Sequence, residues 1–181
     1  MNLTEKTTGI KEIFNGRIFR VHVDDVELPD GSAAKREIVE HSGGVCVAAL
    51  SEDGRLEFVR QFRYPYSRVL LELPAGKLEP GEDPEEAGRR ELSEECGLEA
   101  EQMISMGTVY PTVAYCSEII HLFLAKGLKK TQVHPDEGEF LTRERIALDD
   151  AVKLVMNGDI PDSKTQVLVL KLARLRDEGR L

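Results

Sequence analysis

From Gly76 to Leu98 the chain carries a segment whose local chemistry leaves little freedom: a turn, a capped helix and a stop, flanked by sheet-like sequence. Asp83 can accept the open N–H groups of a helix start, Pro84 suits the first helical position, and Gly97 can take the left-handed stop. Glu85 and Glu86 favour the positive end of the helix dipole. On that helix Glu91, Glu94 and Glu95 lie three and four residues apart, so they share about one turn. Carboxylates this close repel one another unless a cation sits among them. Hard oxygen donors at this density suit Mg²⁺ or Mn²⁺, which bind through a few carboxylates and substrate phosphate oxygens. Arg90 follows a different helical direction from Glu91 and is expected to reach Glu94 or the loop carboxylate Glu82, orienting the ligands.

Around this helix the pattern has period two. Ile18 to Val23, Arg36 to His41, Val45 to Leu50, Leu56 to Phe62, Ile104 to Tyr110, Ile119 to Leu124 and Phe140 to Ile146 read as strands, with turns at Pro29-Asp30-Gly31 and Glu52-Asp53-Gly54. Asp149 to Met156 and Ser163 to Arg176 read as helices. Strands and helices mix without strict alternation, which predicts an α/β sandwich on a mixed sheet. At 181 residues the chain fits one domain with a small appended element, long enough to bury a core without disulfides. Cys46, Cys96 and Cys116 form no CxxC pair and read as reduced thiols.

A net charge of -9 disfavours a duplex nucleic acid partner but not a phosphorylated small molecule, because bound cations reverse the local sign. The polar N-terminus lacks a signal-type apolar run, and no stretch is long enough to span a bilayer. These features predict a cytoplasmic protein with neither membrane nor nucleic acid as partner.

A Glu-rich solvated helix would be the ordinary reading of Glu91, Glu94 and Glu95 alone. The full spacing argues otherwise: Gly76, five residues, Glu82, seven residues, Arg90-Glu91-Leu92, one residue, Glu94-Glu95, one residue, Gly97-Leu98. Seven identities and two aliphatic sites at fixed spacing arise by chance roughly once in a million or more rarely. This segment resembles the Nudix box. The resemblance implies a Nudix α/β/α sandwich with a mixed β-sheet and an N-terminal β-hairpin extension, residues 1–42 forming the extension and 43–181 the hydrolase domain. It implies metal ligation by Glu91, Glu95 and the Ala75 carbonyl, with Glu94 contributing directly or through water, and support of the helix and metals by Glu82 and Arg90.

Further stretches resemble the ADP-ribose pyrophosphatase branch: Arg60-Gln61-Phe62-Arg63, Glu72-Leu73-Pro74-Ala75-Gly76-Lys77, Tyr110-Pro111-Thr112, Ser117 to Ala125 and Asp162-Ser163-Lys164-Thr165. By that likeness Arg63 holds substrate phosphate through its guanidinium fork. Arg36 and Glu37 contact the nucleotide, Lys77 and Glu118 complete the substrate contacts, and the N-terminal extension pairs two copies into a homodimer. The general base belongs to the acidic loop His134 to Glu139, where Glu137 and Glu139 are the candidates and Glu139 is also a candidate metal ligand. His22, His41, His121 and His134 show no ligand spacing. The expected reaction is Mg²⁺-dependent hydrolysis of ADP-ribose or a related nucleoside diphosphate sugar to AMP and a sugar phosphate. Where relatives carry a Ser/Thr-Pro-Gly step this chain has Thr112-Val113-Ala114-Tyr115-Cys116. Dinucleoside polyphosphates, NADH, oxidised dNTPs and a non-catalytic ADP-ribose sensor therefore stand as alternatives.

Overall fold

The computed structural model describes residues 2–132, 138 and 140–181. By Cα proximity the chain forms two compact units, Met1–Gly43 with Tyr110–Ile119, and Gly44–Val109 with Ile120–Leu181.

The first unit is a three-stranded antiparallel sheet in the order β1 (Lys6–Asn15), β2 (Phe19–Glu27), β3 (Ala33–His41). The sequence reading expects a hairpin there, and the structure adds β1 to it. Strand β1 escaped the period-two test because both its faces are exposed and polar and apolar residues mix without alternation. Segment 110–119 joins this unit by strand-like bonding: Val39 donates to Tyr115 (2.7 Å), and Ser117 donates to the Val39 carbonyl (2.9 Å).

The second unit contains β4 (Gly44–Ala49), β5 (Arg55–Arg63), β6 (Arg68–Glu72), β7 (Ala75–Lys77), α1 (Pro84–Cys96), β8 (Leu98–Val109), β9 (Ile120–Lys130), β10 (Leu141–Ala147), α2 (Leu148–Asn157) and α3 (Ser163–Asp177). Its four-stranded sheet runs β7-β4-β9-β8, and β4 pairs with β9 in parallel while the other pairings are antiparallel. A second sheet runs β10-β5-β6.

Every residue of β4 is buried, as a strand covered on both faces requires. Successive side chains alternate faces, so Val45, Val47 and Ala49 pack with Ala87, Leu92 and Cys96 of α1. Cys46 and Ala48 pack in the opposite core with Ala151 and Val155 of α2 and with Leu168, Val169 and Leu172 of α3. The mixed sheet between helical layers is the α/β sandwich expected from sequence.

The two residues between β6 and β7, Leu73 and Pro74, tie these layers together. The Leu73 N–H donates at 2.9 Å to Oγ1 of Thr165, a buried residue in the first turn of α3. The Pro74 carbonyl accepts from Val47 at 2.9 Å. Thr165→Val keeps the shape but leaves the Leu73 donor without its partner, an expected loss of about 1–3 kcal/mol. Denaturant titration should show a lower midpoint at constant slope, and an unchanged midpoint would remove Thr165 from the account of this tie.

Candidate active site on the α1 helix

Helix α1 starts and stops where its sequence dictates. Asp83 accepts from the N–H groups of Glu85 and Glu86 at 2.9 and 3.3 Å, and Gly97 sits at φ 63 beyond the last turn. The stripe that faces the sheet is Ala87, Gly88, Glu91, Leu92, Glu95 and Cys96, all buried. Two carboxylates thus occupy the apolar face of the helix, a costly placement that ordinary core packing would not favour.

Both carboxylates meet the same short strand. Glu95, 1% exposed, accepts the Ala75 N–H at 3.0 Å. Glu91 fills the space beside Gly76, where any Cβ would overlap its carboxylate group. Consecutive residues of β7 therefore receive side chains from consecutive turns of α1. The resemblance implies a role for the Ala75 carbonyl; what the structure shows at this residue is its amide, which donates to Glu95.

Arg90 gathers the remaining acids. Its guanidinium donates to Glu82 Oε1 and Oε2 (2.9 and 3.1 Å), Glu91 Oε1 (2.7 Å), Glu94 Oε2 (3.0 Å) and the Lys77 carbonyl (3.2 Å). The contacts with Glu82 and Glu94 match the sequence reading. The contact with Glu91 corrects it: adjacent helical residues diverge by about 100°, but the long arginine stem spans that angle. Hydrogen bonding to Glu82 foremost raises the Arg90 pKa further, and the same bond holds the Glu82 carboxyl below its ordinary value.

Among the described residues no three His, Cys, Asp or Glu side chains close on one cation position. The donors nonetheless suit a divalent ion. All are hard oxygens, and the cradle at Gly76 is kept open for one of them because it lacks a Cβ. Glu91, Glu94, Glu95 and the Ala75 carbonyl would hold it. Thiol chemistry is disfavoured at Cys46 and Cys96, because burial pushes both thiols far up from their ordinary pKa.

The other sequence candidates fall in separate places. Arg63, at the end of β5, makes a two-pronged pair with Glu72, Nε to Oε1 at 2.7 Å and Nη2 to Oε2 at 2.8 Å. In the first unit Arg36 makes a similar pair with Glu5 (2.9 and 2.5 Å), Glu37 lies opposite Val23, and Glu118 lies 3.6 Å from His41 Nδ1. Glu137 and Glu139 lie outside the described residues.

Sequence reasoning assigned no role to Glu72, Asp162 or Lys164. Glu72 is 2% exposed and takes a third bond from Lys164 Nζ at 2.5 Å, while Lys164 also reaches Asp162 at 2.9 Å. Burial alone would raise the Glu72 carboxyl, but the Arg63 bonds and the Lys164 charge outweigh it and hold it at about 2. The available signal was an acid closing an apolar run, Val69-Leu70-Leu71-Glu72.

Residues 40–166 match the NUDIX domain, more than half of the chain. The chain belongs to the Nudix family. Residues 5–39 match the nucleoside diphosphate sugar hydrolase N-terminal domain that accompanies it here. An ADP-ribose pyrophosphatase of Bacillus subtilis (strain 168) is 43% identical over 95% of this chain and 96% of its own length. A methanol dehydrogenase activator of Bacillus methanolicus is 44% identical over 91% and 90%. An ADP-ribose pyrophosphatase of Mycobacterium tuberculosis is 33% identical over 87% and 78%. The crystal structure of an ADP compounds hydrolase covers 100% of both chains at a TM-score of 0.86 and 22% identity, which establishes the shared Nudix fold. The protein is accordingly a Nudix pyrophosphohydrolase, and the helix carrying Glu91, Glu94 and Glu95 is its Nudix helix. Nudix hydrolases generally work with divalent metal ions, which agrees with the oxygen-only donor set. No described helix is long and apolar enough to cross a membrane.

Proposed function

We propose that the protein hydrolyses the pyrophosphate of ADP-ribose, or of a closely related nucleoside diphosphate sugar, with Mg²⁺, giving AMP and a sugar phosphate. Water adds to one phosphorus, the bridging P–O bond breaks, and the bridging oxygen leaves with the other phosphate. The observation that carries this reading is the approach of Glu91 and Glu95, from successive turns of one helix, to the adjacent residues Gly76 and Ala75. A divalent ion bound by Glu91, Glu94, Glu95 and the Ala75 carbonyl would supply charge neutralisation at the phosphate oxygens and a lower pKa for water. Arg90 and Glu82 hold that helix face in position. Arg63 holds the substrate phosphate, Lys77 and Glu118 add substrate contacts, and Glu137 or Glu139 accepts the proton of the attacking water. Arg36 and Glu37 serve the nucleotide from the N-terminal sheet.

That sheet also supports a homodimer. Ile10, Ile13, Phe14, Ile18 and Phe19 are exposed on it or at its turn, an apolar load that a second copy would cover. Relatives named for ADP-ribose and for methanol dehydrogenase activation are equally similar to this chain, so identity does not choose the substrate. The deciding experiment takes protein confirmed as a two-chain species by sedimentation and assays it with Mg²⁺ on several substrates. The panel is ADP-ribose, ADP-glucose, GDP-mannose, NADH, diadenosine polyphosphates and 8-oxo-dGTP. We expect the highest kcat/KM on ADP-ribose or an ADP-sugar. Preference for another class would overturn the substrate assignment, and binding of ADP-ribose without turnover of any compound would favour the sensor.

A further inference from the structure

Arg63, Glu72, Lys164 and Asp162 form a chain of alternating charge, two positive and two negative, running from the end of β5 through the end of β6 to the first turn of α3. Lys164 is 12% exposed at its side chain and Glu72 2%, whereas Arg63 is 35% exposed. The two inner members are thus enclosed and the guanidinium at one end reaches solvent. A lone Arg63–Glu72 pair would be neutral. Its two bonds to Glu72 use Nε and Nη2, and Glu72 would cancel the positive field that a phosphate needs. Lys164 supplies the second positive charge on Glu72, and Asp162 supplies the compensating negative charge at the far end, away from Arg63 in the order of bonding.

We propose that Lys164 is a positioning residue for substrate binding: through Glu72 it fixes the Arg63 fork and keeps the group from turning net negative, so that Arg63 can attract the pyrophosphate. The proposal rests on the reading of Arg63 as the phosphate-holding residue. Buried ionic groups of this kind cost desolvation, and well-packed apolar residues would often serve stability as well. A functional demand for positive potential at Arg63 accounts for their presence.

The sign of the charge change makes the test specific. Lys164→Met leaves the group net negative and is expected to raise KM about tenfold, since one unit charge is lost at short range in a half-screened site. Its kcat should stay within about threefold of the wild type, because the groups on α1 are untouched. Lys164→Arg restores the charge and should restore KM. Asp162→Asn keeps an oxygen to cap Thr165, removes the opposing charge, and should lower KM severalfold. Kinetics on the best substrate of the panel, with calorimetric affinity for ADP-ribose in EDTA as the readout free of turnover, measure all three. Opposite shifts in Lys164→Met and Asp162→Asn support the proposal even where one variant is poorly folded, since a merely structural role makes both worse. A fall in kcat at constant KM in Lys164→Met, or a raised KM in Asp162→Asn, overturns it. Arg63→Gln separates the two claims. If it raises KM while Lys164→Met does not, the Lys164 proposal alone fails; if it leaves KM unchanged, the phosphate role of Arg63 fails and the proposal with it.

Discussion

Glu95→Gln is expected to lower kcat by roughly three orders of magnitude, equivalent to about 4 kcal/mol of transition-state stabilisation, while the protein stays folded. The two halves of that expectation come from different atoms. Glu95 accepts the Ala75 N–H through Oε2, and the carbonyl oxygen of glutamine accepts the same bond, so the tie between α1 and β7 survives. What disappears is a negative charge enclosed at the sheet-facing side of the helix, 1% exposed. A divalent ion held there would lose an anionic anchor, and with it the neutralising charge it would supply at the phosphate oxygens. Stopped assays of AMP release, with circular dichroism melting on the same sample, read both halves. Wild-type turnover by Glu95→Gln in the presence of a chelator would sink the metal-assisted mechanism. A lowered melting temperature matching the lost activity would reduce Glu95 to a structural group.

The Nudix helix was legible in sequence because its signals are local: a capping aspartate, a proline, a terminal glycine and acids at helical spacing. Strand β4 was legible because burial on both faces leaves an unbroken apolar run. Strands β6 and β7 were not assigned, since Arg68–Glu72 is short and Ala75–Lys77 is a three-residue strand whose identity depends on pairing with β4. The charge chain through Glu72 escaped for a related reason. Its bonded partners Glu72 and Lys164 are separated by 92 positions in sequence, and nothing in the local pattern says that Lys164 closes on Glu72. Arg63 was identified by likeness as a substrate residue, but its two-pronged attachment to Glu72 is a fact of tertiary packing. Arg90 shows the limit of helix-face reasoning: spacing predicted its reach to Glu94, whereas side-chain length brought it to Glu91.

Gly76→Ala should separate activity from stability in a way few substitutions can. Gly76 does not have the positive φ that would strain an alanine, so the backbone tolerates the change. Removing a glycine also reduces the freedom of the unfolded chain, a gain of about 0.4–1 kcal/mol where the conformation is compatible. The obstacle is the new Cβ, which would occupy the space held by the Glu91 carboxylate. That carboxylate is the end of a flexible side chain and can rotate away for a cost of about 0.5–1.5 kcal/mol, close to the entropic gain. The melting temperature should therefore stay near that of the wild type. Activity should not: an acid displaced by about 1 Å from its productive position can cost about 100-fold in rate. Glu91→Asp on the Gly76→Ala background shortens the acid by one methylene and relieves the overlap, so part of the activity should return. On the wild-type background the same shortening withdraws the carboxylate and should only harm. Steady-state kcat for the two single variants and the double variant, with thermal melts for each, closes the cycle. Gly76→Ala with undiminished kcat would show that the Glu91 carboxylate does not need the place beside Gly76, and the meeting of α1 with β7 would lose its catalytic meaning.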